Sequence, residues 1–396
     1  MLKKPLTVAW ISDFPVEWLP DLPEPLRHLP RHHPATWQLV LLSEFEKNPD
    51  IKLHVVQLRR RVQSSFSFER NGVSFHVLKA PASLRLVSLF WWDTLLIRSL
   101  FRGIRPDLVH AWGSEKGAVL IANRLGGARL ATVQGLLSWY KEIGPLSRFE
   151  RFAAILEKRS FPKIPVITTE STFSVRYLQE HYHHQRVFQA EHAPNRAFRE
   201  VTRRPVTDPV HFICVSSLGH RKGIDLLFAA LDRIAPERAF KLTLICGPNP
   251  AYLELLRNSV SAELWRRVEF KHHLLPNEIA RELETPTLML MPTRADVSPN
   301  AVKEALVAGM PVVASRVGGI PDYLVHGKNG LMFPVNDLEA FVDAIRQACA
   351  HPLFGKGMVD AETLSKTREY LSPERMASNF LTAYAAAVED PVRRSR

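Results

Sequence analysis

The sequence predicts an α/β protein made of two doubly wound domains, and three observations carry that expectation. Its 396 residues exceed what a single hydrophobic core usually serves, so two domains of ordinary size are expected. Short apolar runs alternate with helical stretches from the N-terminus onward, the pattern of a parallel sheet covered by helices. The alternation begins afresh near residue 210, after the polar, basic, proline-containing stretch REVTRRPVTDP at 199–209, whose composition suits a linker. The expected domains are 1–203 and 204–375, with 376–396 as a closing helix and tail.

Composition narrows the class. With 46% hydrophobic and 23% charged residues the chain is an ordinary globular protein. MLKKPLTVAWISDFP runs straight into a strand-like stretch without an apolar signal core, and no window approaches 18 uncharged apolar residues, so neither a leader nor a membrane span is expected. Cys214, Cys246 and Cys349 are too few for a disulfide framework. Two of them fall in predicted strands as small hydrophobes, which fits the cytoplasm. The net charge of +12 is uneven: residues 1–205 hold 30 Lys and Arg against 18 Asp and Glu, whereas the remainder holds 22 of each. That asymmetry points to an anionic partner for the first half, with a solubilising surface as the plainer reading. No basic recognition motif supports nucleic acid as that partner.

In the first half, strands are expected at 7–11, 52–58, 73–78, 108–111, 129–133, 166–169 and 187–190. Ligands of such sheets bind beyond the C-terminal strand ends, which places Ser12, Asp13, His110, Gln134 and Gly135 near a cleft between the domains. Residues 12–34 are too proline-rich for one continuous helix. Residues 84–102, LRLVSLFWWDTLLIRSLFR, are expected as a single apolar helix with Arg85, Arg98 and Arg102 on its polar positions. Two readings stay open: a core helix with snorkelling arginines, or an interfacial helix with tryptophans at headgroup level and arginines facing anionic lipid. His181, His183 and His184 lack a cysteine or carboxylate set at ligand spacing, so they read as a surface helix end rather than a metal site.

The second half opens with the strand HFICVSS. The loop LGHRKG then starts the helix IDLLFAALDRI, and its backbone amides, the helix N-terminus and Lys222 make an anion site. Further strands are expected at 242–247, 268–270 and 287–292, and SPERMASNFLTAYAAAVED reads as an amphipathic closing helix. The most informative stretch is 292–334, PTRADVSPNAVKEALVAGMPVVASRVGGIPDYLVHGKNGLMFP. It reads as loop, helix, strand, glycine turn, helix, turn, strand. Ser298 and Pro299 signal a helix start, with Ser as cap and Pro at the first helical position. Glu304 then lies about one and a half turns in, and Asp296 stays on the approach loop. Two carboxylates so placed can bracket a phosphate-linked polar ligand, and carboxylates suit sugar hydroxyls because each accepts two hydrogen bonds.

This stretch resembles the donor-binding signature of the retaining glycosyltransferases of family 4: E-x7-E, then G-x-P-V-V-A and V-G-G-I-P-(D/E). Asp296 stands at the first acid and Glu304 at the second, with Ser298, Pro299, Asn300 and Ala301 between them. The resemblance implies the GT-B fold, two Rossmann-like domains facing a cleft, with the C-terminal helix crossing back to the first. Lys222 and Gly223 match the family's G-R-L-x-x-x-K-G, which grips a diphosphate; Ser217 stands at its arginine, leaving Arg221 or Arg294 to replace that cation. Gln134, in TVQGLLSWY, stands where relatives carry a histidine over the donor sugar. HAPNRAF resembles the closing I-P-N-G-V-x-x-F turn, with Asn195 as turn residue and cleft contact. KHHLLPNEIARELE resembles the segment flanking the nucleotide base.

The implied activity is transfer of a sugar, with retention, from a UDP- or GDP-type nucleotide sugar to a saccharide or lipid-linked acceptor, anionic in view of the basic first half. The nucleotide sugar is a co-substrate, so no cofactor is expected. Lys222, Asp296 and Glu304 are the candidate catalytic residues, gripping diphosphate, sugar hydroxyls and ribose in turn. The chain contains no D-x-D, so no metal is expected either. The setting implied is cell-surface polysaccharide or glycolipid synthesis at the cytoplasmic face of a membrane, touched through residues 84–102. An epimerase of GT-B shape and a sugar-nucleotide-binding protein without turnover share these features.

Overall fold

The computed structural model describes residues 5–29, 35–80, 82–183 and 186–389. Among them the chain divides into two compact units, Met1–Glu170, Ser174–Glu191 and Met376–Arg396 in the first, Ser171–Phe173 and His192–Arg375 in the second. The first holds β1 (Leu6–Ile11), β2 (Ile51–Arg59), β3 (Phe66–Arg70), β4 (Val73–Lys79), β5 (Leu108–Trp112), β6 (Arg129–Val133), β7 (Val166–Thr169) and β8 (Arg186–Gln189). Their order is β3-β4-β2-β1-β5-β6-β7-β8, parallel throughout except for β3 against β4. Strands β5, β6 and β7 are buried along nearly their whole length, which is why they read as continuous apolar runs rather than alternating ones.

Strand β3 departs from expectation. Asn71 and Gly72 form a two-residue turn with φ of 49° and 76°, pairing Arg70 with Val73. Asn-Gly takes two left-handed residues at low cost, and that is what the tightest hairpins need. The strand alternates half-buried and exposed positions, as an edge does.

The expected helix over 84–102 is two helices, Ala82–Val87 and Trp91–Ile104. Between them Leu89 and Phe90 have φ of 46° and 65°. The break turns Phe90 inward, where its ring fills the space a Cβ on Gly117 would take, and lets Arg85 donate to the Asp93 carboxylate at 2.8 Å. A straight helix could not place both. Asp93, Thr94 and Ile97 are buried, so one stripe of Trp91–Ile104 is core.

The closing helix, Pro373–Val388, buries Phe380, Ala383, Tyr384 and Ala387 and is counted from Met376 in the first unit. Trp10 Nε1 donates to Tyr384 Oη at 2.9 Å. Tyr384 lies 2.7 Å from His110 Nδ1, and His110 Nε2 lies 2.6 Å from Thr132 Oγ1. One tautomer satisfies the chain: Tyr384 donates to Nδ1, and Nε2–H donates to Thr132. His110 is therefore not a cleft residue. It lies within β5, fully buried, with Nδ1 joining the closing helix to the sheet and Nε2 joining β5 to its neighbour β6.

The second unit holds β9 (Val210–Val215), β10 (Phe240–Ile245), β11 (Val268–Lys271), β12 (Leu288–Met291), β13 (Val312–Ser315) and β14 (Gly330–Phe333), ordered β11-β10-β9-β12-β13-β14 and wholly parallel. Along β9, Phe212 and Cys214 enter one core with Phe228 and Phe341, and Ile213 enters another with Met289 and Leu306, the two-residue period of a strand. The border between units falls at His192, not at 204. Phe198 belongs to the second core, and Arg203 donates to the carbonyls of Pro286 at 2.6 Å and Gly357 at 2.9 Å. The stretch expected as a linker is thus held down by buried apolar contact and by a guanidinium serving carbonyls from separate loops.

In the proline-rich stretch after β1, Phe14, Val16 and Leu26 are buried around a single 3-10 turn, Val16–Trp18, and a short helix, Glu24–Arg27. Residues 30–34, His184 and the tail 390–396 lie outside the described residues. His181 stacks on Tyr177 with ring centroids 3.9 Å apart.

Candidate active site

Strand order reverses at β9, whose neighbours β10 and β12 continue in opposite directions, so the loops leaving β9 and β12 emerge side by side at a topological switch point. The first loop carries a 3-10 turn, His220–Lys222, then Gly223 and the helix Ile224–Ile234. Gly223 has φ of 69°, and a Cβ there would lie 1.8 Å from the carbonyl oxygen of Pro292. Backbone meets backbone at this point, which only glycine allows. Arg294 N–H donates to Arg221 O at 2.8 Å, and Arg221 Nη1 returns a bond to Ala295 O at 2.9 Å. The Arg294 guanidinium holds the Asp225 carboxylate in a fork at 2.7 and 2.8 Å, and also reaches His220 O and Asn336 Oδ1. Gly223 carries no side chain and so supplies no cap to the helix Ile224–Ile234.

The loop after β12 is held from its other side by the double glycine. A Cβ on Gly318 would lie 1.7 Å from Asp296 O, and Gly319 N–H donates to Val297 O at 2.8 Å. Asp296, pinned between two backbone contacts, directs its carboxylate to the Lys222 ammonium, and the two form an ion pair with both side chains largely buried. The following helix is Asn300–Val307, one residue later than expected. Pro299 has ψ of 116° and stays outside it, and Ser298 donates to Tyr323 Oη at 3.3 Å. Asn300 and Ala301 are half-buried on its first turn. Glu304 on this helix is buried, and burial, only partly offset by the Lys303 charge, pushes its carboxyl up to about 7. A carboxylate kept so far from water gains most from a ligand that donates hydrogen bonds to it.

In the first unit the C-terminal ends of β1, β5 and β6 surround a cavity of about 350 Å³ lined by Ser12, Asp13, Trp112, Glu115 and Gln134 among others. A larger cavity of about 710 Å³ shares Asp13, Glu115 and Lys116. Ser12 Oγ donates to Gln38 Oε1 at 2.7 Å. Burial works to raise the Asp13 carboxyl, but Arg59 and Lys116 beside it hold it below its ordinary value. Gln134 Nε2 is buried with no hydrogen-bond partner among the described residues, a donor that a ligand in this cavity would satisfy. Gly135 packs near the Tyr140 ring. Asn195 lies in the second unit, where its side chain accepts from Ala197 N–H at 3.0 Å and caps the turn Arg196–Arg199. Sequence reading missed Glu115, Lys116 and Arg148 as lining residues; of the whole set only the run Arg59-Arg60-Arg61 carries a local signal.

Residues 209–351 match the family described as "Glycosyl transferases group 1", and residues 41–190 match "Glycosyltransferase Family 4". The chain belongs to glycosyltransferase family 4. Among curated relatives in this group, the glycogen synthase of Mycobacterium tuberculosis is 24% identical over 178 residues, 45% of this chain and 41% of that protein. The GDP-mannose-dependent alpha-(1-6)-phosphatidylinositol monomannoside mannosyltransferase of Mycolicibacterium smegmatis is 30% identical over 148 residues, 35% of this chain and 38% of that protein. The chain thus spans about two fifths of the length of these relatives. The solved sucrose-phosphate synthase from Thermosynechococcus elongatus superposes with a TM-score of 0.76 at 16% identity, covering 96% of this chain and 98% of that one. That likeness is one of fold, and the fold is GT-B.

Against the family-4 pattern, the position of the usual arginine, Ser217, is exposed and adds no cation. Arg294 is held by the Asp225 carboxylate, His220 O and Asn336 Oδ1, whereas the Arg221 guanidinium donates to a backbone carbonyl. Arg221 remains the candidate beside Lys222. Among the described residues no group of His, Cys, Asp and Glu side chains could hold a metal ion, and no helix is long and apolar enough to cross a membrane.

Proposed function

We propose that this family-4 chain transfers a sugar from a UDP- or GDP-type nucleotide sugar to a saccharide or lipid-linked acceptor, with retention and without a metal, in cell-surface polysaccharide or glycolipid synthesis at the cytoplasmic face of a membrane. The observation that carries the reading is the Lys222–Asp296 ion pair, built where two loops leave the sheet side by side, next to the uncapped start of Ile224–Ile234. A nucleotide sugar offers each group a better partner. Lys222 and the helix amides take the diphosphate, where negative charge grows as the sugar departs. Asp296, released, accepts from hydroxyls of the transferred sugar and orients its anomeric carbon. Glu304 accepts from the ribose hydroxyls. The acceptor oxygen bonds to the anomeric carbon as the bond from that carbon to the phosphate oxygen breaks, and the acceptor proton passes to the departing phosphate. Asp296 orients and does not attack. The name of the M. smegmatis relative, with its GDP-mannose donor and phosphatidylinositol mannoside acceptor, supports a lipid-linked acceptor.

The test is release of UDP or GDP from a panel of nucleotide sugars supplied with saccharide and lipid acceptors. Release with one donor class, unchanged by EDTA, reduced at least tenfold in Lys222→Ala and giving a product with the donor's anomeric configuration by NMR, is the expected result. Interconversion of donor sugars without any acceptor would make the protein an epimerase instead.

A further inference from the structure

The arginine-rich cavity of the first unit and the apolar edge beside it call for one ligand. The cavity, about 710 Å³, is lined by Arg59, Arg60, Arg61, Arg85, Lys116 and Arg148 against Asp13, Glu17 and Glu115, with Phe90, Phe149 and Phe152 among its apolar walls. Arg59 and Lys116 are held by Asp13, and Arg85 by Asp93. Arg60, Arg61 and Arg148 are exposed and make no ion pair among the described residues. Arg148 opens the helix Arg148–Ser160, the end where a cation is disfavoured by the helix dipole. Burial raises the Glu115 carboxyl above its usual range, partly offset by Lys116 beside it. The balance of the cavity is positive, and it fits an anion.

Beside it lies an unpaired apolar edge. Leu86, Val87, Leu89, Trp91, Trp92 and Leu95 are all exposed, Val87 at 85% and Trp91 at 50%, while Phe149 at the cavity rim is exposed too. Two consecutive bulky residues in the left-handed region, Leu89 and Phe90, shape this edge, and such strain persists only where the surroundings fix it. The surroundings do so: Arg124 donates to Leu89 O at 2.7 Å and sits 4.3 Å above the Trp91 ring. Exposed tryptophan and leucine flanked by arginine is the chemistry of a membrane–water boundary. The excess of 12 positive charges in residues 1–205 supplies the complementary charge.

We propose that this cavity and edge form one docking surface for an anionic lipid, the phosphate-bearing head held by Arg60, Arg61 and Arg148 and the membrane boundary met by the edge from Leu86 to Leu95. As the seat of the acceptor it rests on the transferase reading; as a lipid surface it does not. Flotation of the full chain, without nucleotide, on phosphatidylglycerol–phosphatidylcholine vesicles tests it. Binding is expected to exceed that to pure phosphatidylcholine vesicles at least tenfold and to weaken between 50 and 500 mM NaCl. Arg60→Glu with Arg61→Glu should abolish the preference for anionic vesicles. Trp92→Ser with Leu95→Ser should lower binding at least fivefold even at 50 mM salt, both variants unfolding at the wild-type temperature. Equal binding to neutral vesicles, no binding to either, or a stable dimer that Trp92→Ser with Leu95→Ser disperses would each overturn the proposal. Nucleotide binding by a protein that ignores vesicles would leave the transferase reading standing alone.

Discussion

Glu304 makes the stability of the second unit depend on pH. Burial raises its carboxyl from 4.5 to about 7, so between those values the native state binds more protons than the unfolded chain. Stability contributed by this group is full below pH 4.5 and is lost as pH rises through 7. Glu304→Gln should therefore be more stable than wild type at pH 8, by about 3 kcal/mol, and the gap should shrink to less than about 1 kcal/mol at pH 5. Urea unfolding at the two values decides; a gap independent of pH contradicts the assignment. Asp296 carries a second prediction. On the proposed reading, replacing it with Asn frees Lys222 from its ion pair for phosphate but removes the acceptor for sugar hydroxyls. Affinity for the free nucleoside diphosphate should hold or rise while turnover falls about a hundredfold or more, the loss expected of an orienting contact. Calorimetric titration beside a rate assay separates the two, and parallel loss of both would make Asp296 a mere scaffold for its loop.

At the scale of elements, the site is two loops fastened by glycines, and the fastening can be measured. Gly223 and Gly72 share a left-handed φ, 69° and 76°, but a Cβ on Gly223 would meet Pro292 O at 1.8 Å whereas one on Gly72 meets nothing within 4 Å. Gly72→Ala should cost about 1 kcal/mol, the conformational penalty alone. Gly223→Ala should cost about 3 kcal/mol or more, since backbone must also move. Chemical denaturation checks the difference, and equal costs would mean the two loops are not in backbone contact. These loops were legible in the sequence because their chemistry is local: the glycine pair, the Ser-Pro start and the acids eight residues apart all act on near neighbours. The break at Leu89–Phe90 was not legible. It follows from the fit of Phe90 over Gly117 and the reach of Arg85 to Asp93, contacts that periodicity over 84–102 does not encode. Strand β3 was legible in principle, since Asn71-Gly72 announces a hairpin.

Across the whole molecule, the closing helix completes the first unit through contacts 274 and 374 residues apart in sequence, Tyr384 with His110 and with Trp10. No local pattern could have revealed that His110 is a strut and not a ligand contact; the residue reads as a strand-end histidine until its partner is seen. Tyr384→Phe removes the buried hydroxyl that Trp10 Nε1 and His110 Nδ1 bond to, and should lower stability by about 1–3 kcal/mol. Calorimetry checks it, and an unchanged melting temperature would mean the network adds nothing. The fold itself was legible, since the rhythm of apolar strands and helices names a parallel sheet twice over. The border between units was not, because Arg203 and Phe198 bind a stretch whose composition suggests a linker. On the proposed function, Lys222, Asp296 and Glu304 together grip a nucleotide sugar. Thermal shift with UDP-, GDP-, ADP- and CMP-sugars on wild type and Glu304→Ala tests it most directly. Ligand at about a hundredfold over its dissociation constant should add roughly 2.7 kcal/mol, a shift of several degrees for one base class that Glu304→Ala loses. No shift with any nucleotide sugar would contradict the account.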